Sequence, residues 1–202
     1  ALNVKVRGMS IYRTIYFLPT LVPSVALAIL WVWLFNPQYG VLNSVLDLLG
    51  LPPLGWISDP KTAMPSLVLM SLWVVGGTVV IFLAGLQDVP AQLYEAAEID
   101  GAGVLEKVWF VTIPMMTPVI LFNLLTGIIG SLQTFTQAYI MTNGGPANAT
   151  LFYVLHLYRS GFQYVQMGYA SALAWILFIV TLGIALAVLR TSRGWVYYGG
   201  MR

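Results

Sequence analysis

Four stretches of the chain hold no Asp, Glu, Lys or Arg: residues 14–46, 62–87, 108–158 and 160–189. An α-helix rises 1.5 Å per residue, so about 20 apolar residues cross a hydrocarbon core about 30 Å thick, and each stretch exceeds that length. Composition agrees: 59% of the 202 residues are hydrophobic and 8% are charged, with mean hydropathy +0.84. Soluble domains carry about 25% charged residues. The expectation is an all-α integral membrane protein with four spans near 15–35, 63–86, 114–135 and 169–189. A transmembrane β-barrel needs segments of about ten residues that alternate apolar and polar. Blocks such as LVPSVALAILWVWLF do not alternate.

The connectors differ in kind. Residues 36–62 carry NPQYG, PPLGW and SDP, turn chemistry mixed with interfacial aromatics, and a short helix is expected at Val41–Leu49. Residues 136–168 carry TNGGPANAT and then the aromatic-rich LFYVLHLYRSGFQY, a stretch suited to a membrane surface. Lys5, Arg7, Arg13, Lys107, Arg190, Arg193 and Arg202 fall on one side of the four spans, Lys61 and Arg159 on the other. Positive charge collects on the cytoplasmic side, which puts both ends of the chain and the middle loop there. The opening residues lack a signal-peptide layout and read as the end of something, so the chain is expected to be part of a longer protein.

The middle loop is the exception to the apolar pattern. YEAAEIDGAGVLEKVWFVTIP, residues 94–114, holds four of the seven acids. Asp88 before Val89-Pro90 predicts an N-cap with proline in the first helical turn. Ala91 to Ile99 then predicts a helix ended by Gly101 and Gly103, followed by a second helix over Val104 to Phe110. Interfacial amphipathic helices usually present Lys and Arg to the headgroups. This one is acidic, which favours a protein partner over lipid.

Glu95-Ala96-Ala97, three residues, Gly101, nine residues, then Val111-Thr112-Ile113-Pro114 resembles the EAA loop of ABC-transporter permeases. EIDGAG, YRTIYFLPTLVPSVALAILWVWLFNPQYGVLN, FLAGLQDVPAQLYEAA and TNGGPANATLFYVLHLYRSGF are similar to the carbohydrate-type permeases of binding-protein-dependent importers, the maltose and glycerol-3-phosphate group. The resemblance implies one permease domain over 1–202, lacking two earlier spans of the family core. It implies that loop 88–113 seats in a cleft of a cytosolic ATPase, with Glu95, Ala96, Ala97, Asp100, Gly101 and Pro114 as the coupling residues. The implied partners are a second permease subunit, two ATPases, an extracytoplasmic solute-binding protein facing the Asn143–Asn148 turn, and lipid. No nucleic acid is among them. The implied location is the bacterial cytoplasmic membrane, with a sugar or polyol as cargo.

No catalytic or cofactor chemistry is expected in the chain itself. A phosphate-binding P-loop needs G-x4-G-K-[ST], and Lys5, Lys61 and Lys107 follow Val, Pro and Glu. ATP and magnesium would sit on the ATPase. Without cysteine there is no disulfide, thiolate metal site or cysteine nucleophile, and His156, the single histidine, builds no metal site alone. The spans contain no ionisable relay of the kind a proton-coupled carrier uses. The alternatives are a secondary carrier or channel for a small neutral solute and, further off, a membrane enzyme. Uncharged polar groups are the candidates for a substrate path: Ser71, Trp73 and Thr78 in the second span, and Asn123, Ser131, Gln133 and Thr134 in the third. Such residues also serve helix packing.

Overall fold

The computed structural model describes residues 9–197; Lys5, Arg7 and Arg202, used above for orientation, lie outside the described residues. The described chain is helical, without a strand: α1 (Met9–Phe17), α2 (Ser24–Leu34), α3 (Val41–Leu48), α4 (Pro60–Trp73), α5 (Gly76–Gln87), α6 (Ala91–Ile99), α7 (Val104–Leu132), α8 (Tyr153–Tyr158) and α9 (Met167–Ser192). Among the described residues, only α7 and α9 are individually long and apolar enough to cross a membrane. Four spans result when each of two broken pairs, Thr14–Leu21 with Ser24–Leu34 and Pro60–Trp73 with Gly76–Gln87, counts as one.

The breaks have local causes. Pro19 sits in the 3-10 turn Leu18–Leu21, and Pro23 is extended at φ −54°, ψ 137°, so the backbone cannot run unbroken into α2. In the second pair α4 ends at Trp73, and α5 starts on Gly76-Gly77. The third span continues the helix begun at Val104, through a π-helical turn at Val108–Thr112 and past Pro114, so no loop separates it from the acidic segment.

Contacts gather the chain into two compact units. One contains Pro19–Val75 and Gly130–Ile179. Its core is Leu27, Ala28, Trp31 and Phe35 of α2 with Leu67 and Met70 of α4 and Met141, and the Trp31 and Phe35 ring centroids lie 5.0 Å apart. Asn43, within α3, ties the connector together. Its amide donates to Pro37 O and Leu54 O, both at 2.9 Å, while its oxygen accepts from Leu54 N at 3.1 Å and Trp56 Nε1 at 2.7 Å. Asp59 caps α4 by accepting from Lys61 N at 2.9 Å, with Pro60 at the first helical position. The aromatic stretch after the TNGGPANAT turn is held to the protein: Leu155 is fully buried and the Tyr153 hydroxyl donates to Leu173 O at 2.8 Å.

The other unit contains Gly76–Ile129 with the segments before Pro19 and after Ile179. Here α5 and α7 meet at Gly85. A Cβ there would stand 2.7 Å from Val119 Cγ2 and 3.2 Å from the Met116 sulfur, so the approach of the two helices depends on a residue without a side chain.

Candidate functional site

The acidic segment forms a helical hairpin. The Asp88 cap expected from sequence is not formed: α6 begins at Ala91 with Pro90 in the cap position, φ −60° and ψ 131°, and no side chain caps it. The rigid φ of proline presets the turn into the helix, so a carboxylate is not needed there. The end of α6 is tightly specified. Ala102 N bonds to Ala97 O at 2.8 Å and Gly101 N to Glu98 O at 3.0 Å, the paired bonds of a Schellman motif, with Gly101 left-handed at φ +83°. Gly103 then opens α7, and its N–H donates to Glu106 Oε2 at 2.6 Å.

Two contacts brace the arms of the hairpin. Lys107 Nζ reaches Glu98 Oε1 at 2.5 Å, an exposed pair that by itself contributes little. Tyr94 Oη and Thr112 Oγ1 are 2.9 Å apart. The Thr112 hydroxyl also lies 3.3 Å from Lys107 O, and either hydroxyl can donate to the other. The Lys107 carbonyl lies at the π-helical turn, where the α-helical ladder is interrupted, and the Thr112 hydroxyl covers it.

Of the residues expected to couple, Glu95, Ala96, Asp100 and Gly101 are exposed, while Ala97 and Pro114 are half-buried. Glu95 has no hydrogen-bond or ion-pair partner among the described residues. Beside these groups Ile99, Val104, Leu105 and Phe110 are each at least 75% exposed. These solvent-facing apolar side chains lie beside Glu95 and Asp100, acids without a partner among the described residues.

The second feature is a groove of about 630 Å³ in the unit built on α2. It brings together Ser71, Ser131 and Thr134 of the expected path. Trp73 stands apart, edge-on to Trp31 at 6.2 Å, and Gln133 is exposed outside the lining. Thr78 and Asn123 fall in the other unit, and Asn123 Nδ2 is spent on Val119 O of its own helix at 2.9 Å. Thr20, Ser24 and Gln137 also line the groove and were not among the sequence candidates. Ser71 donates to Val68 O at 2.7 Å and Thr134 to Gly130 O at 3.3 Å, which leaves oxygen lone pairs able to accept. The Gln137 amide has no partner among the described residues, and no charged side chain lines the groove. Its chemistry is that of hydroxyl and amide groups set among Leu27, Leu67, Met70 and Phe152. Among the described residues no three His, Cys, Asp or Glu side chains are grouped to hold a metal.

Residues 1–193 match the family described as binding-protein-dependent transport system inner membrane component. The chain is 41% identical over 201 residues to YesP, a probable ABC transporter permease protein of Bacillus subtilis (strain 168), covering 98% of this chain and 65% of that one. It is 36% identical over 195 residues to AraP, the arabinooligosaccharides transport system permease protein of the same organism, covering 95% and 62%. Among solved structures it superposes with TM-score 0.86 and 26% identity on a chain of a bacterial alginate ABC transporter in complex with an alginate pentasaccharide-bound periplasmic protein, covering 95% of this chain and 68% of that one. The chain thus spans roughly two-thirds of the length of the relatives it matches, 65% and 62% for the two curated ones.

Proposed function

The chain belongs to the family of binding-protein-dependent transport system inner membrane components, and on that premise we propose that it is the permease subunit of an ATP-driven importer whose cargo is a neutral oligosaccharide. The carrying observation is the groove: about 630 Å³, lined by five hydroxyls and the Gln137 amide on an apolar wall and, among the described residues, by no charged group. Sugar hydroxyls pair with such groups, and apolar walls suit the C–H faces of sugar rings. The relatives that name a cargo name saccharides, arabinooligosaccharides in one case and alginate in another. An acidic polysaccharide such as alginate calls for a countercharge that this groove lacks, which favours an uncharged sugar.

The energy enters through the hairpin. Glu95, Asp100 and the apolar residues beside them form the face offered to a cytosolic ATPase, Ala96 and Ala97 allow close approach, and Gly101 fixes the angle between the arms. Because α7 continues as one helix from Val104 to Leu132, through the π-helical turn, displacement of the hairpin travels along it into the membrane. The chain's own lysines fit no P-loop, so hydrolysis belongs to separate subunits. A second permease and an extracytoplasmic solute-binding protein complete the assembly. On this reading the hairpin and both ends of the chain face the cytoplasm, where Lys and Arg concentrate.

The test is purification in mild detergent followed by reconstitution. The expected result is co-purification with an ATPase and a second permease, and saccharide uptake that requires both ATP and the solute-binding protein. A chain recovered alone that carries solute without nucleotide would make it a secondary carrier or channel instead. Within the working transporter, Gln137→Leu should raise the saccharide concentration needed for half-maximal uptake about tenfold, the loss of about one hydrogen bond to cargo, and leave ATPase co-purification unchanged. Concentration-dependent uptake measured beside pull-down yield checks both halves of that expectation.

A further inference from the structure

After α9 the backbone turns back on itself: Trp195 N and Val196 N both bond to Ser192 O, at 3.1 and 2.8 Å. The N–H of Tyr197 then donates to Thr117 Oγ1 of α7 at 2.8 Å, across 80 residues of sequence. Thr117 is only 7% exposed. Its own proton goes to Pro114 O at 2.6 Å. That carbonyl needs a side-chain partner because the residue four places on is Pro118, which has no N–H to offer. The proline therefore fixes the direction of the Thr117 hydroxyl proton and leaves an oxygen lone pair for Tyr197. The Tyr197 side chain in turn lines a cavity of about 230 Å³ with Leu93 of α6 and Phe110, Val111, Pro114 and Met115 of α7. Tyr197 thus shares that cavity with residues of both arms of the hairpin.

We propose that residues 193–197 are a strap that ties the end of the last span to the hairpin, with Thr117 as its positioning residue. Through it, movement of the hairpin is delivered to α9 as well as along α7. This role rests on the importer reading above. Neither the expected coupling residues nor the groove residues include Thr117 or Tyr197.

The experiment compares Thr117→Val and Thr117→Ser in the reconstituted transporter by measuring saccharide imported per ATP hydrolysed. Valine keeps the shape and removes the oxygen; serine restores it. Thr117→Val should lower the import ratio about fivefold, the scale of one backbone hydrogen bond, with ATP hydrolysis close to wild type, and Thr117→Ser should recover it. A parallel measurement exploits the absence of cysteine in the chain: Leu93→Cys with Tyr197→Cys should cross-link in membranes, and Thr117→Val should diminish that yield. An unchanged import ratio in Thr117→Val overturns the strap, as does a fall of import and hydrolysis together that serine fails to rescue. If wild type shows no ATP-dependent import, the importer reading and the transmitting role fall together, while the cross-link separately reads whether the strap is seated.

Discussion

Replacing Gly101 with Val should leave the chain in the membrane and lower its recovery with the proposed ATPase partner about tenfold. The space around Gly101 is not the reason, since a Cβ built there meets no atom within 4 Å. The reason is backbone conformation. Gly101 holds φ +83°, where an L-residue costs about 1–2 kcal/mol and a β-branched one sits at the upper end. The Schellman bonds from Ala102 to Ala97 and from Gly101 to Glu98 depend on that angle. Their loss frees the two arms of the hairpin, and with them the relative positions of Glu95, Ile99 and Leu105. Asn visits the left-handed region more readily than other L-residues. Gly101→Asn should therefore recover most of the association, and Gly101→Asp should match it in backbone while adding a further acid beside Asp100. Quantitative pull-down of the three variants with the ATPase decides the matter. Equal recovery of Val and wild type would show that the angle between the arms does not govern docking.

Asn43→Leu should be the most destabilising single change in the connector between the first two spans, at about 3–5 kcal/mol. Both amide protons and both lone-pair directions of Asn43 are used, in four bonds to Pro37, Leu54 and Trp56. The residue is 7% exposed, so water has little access to the groups that leucine would strand. Trp56 packs on Phe35 with centroids 5.2 Å apart, so loosening it reaches the α2 core. Asn43→Asp should be no milder, because it turns a carboxylate oxygen toward two carbonyls. Thermal unfolding in detergent, with protease cleavage of residues 50–56, measures the effect; melting at the wild-type temperature would refute it.

The parts of this molecule governed by local backbone chemistry were legible in the sequence. Gly101 and Gly103 placed the bend of the hairpin, and the short helix expected at Val41–Leu49 is observed at Val41–Leu48. The Asp88 cap was misread because Asp-Val-Pro satisfies two rules for starting a helix, and the proline alone does the work. The groove was harder to read. A helix surrounded by lipid is apolar on all sides, so periodicity does not reveal which polar residue faces inward. Ser71, Ser131 and Thr134 share the groove, whereas Asn123 is satisfied by its own helix. Thr20 and Ser24 lie beside Pro19 and Pro23, at the break in the first span, and were not among the candidates. Gln137 lay beyond the expected end of its span.

The π-helical turn at Val108–Thr112 has a consequence for rotation. It takes in one residue more than an α-helical turn would, and each residue in an α-helix advances the azimuth by roughly 100°. The proposed docking face of Val104 and Leu105 and the helix beyond Pro114 are therefore out of phase by that step. The nine residues between Gly101 and Val111 act as a dial setting as well as a spacer. Deleting one of them would keep the helix intact, indeed make it more regular, and turn the hairpin's exposed face away from the proposed ATPase partner.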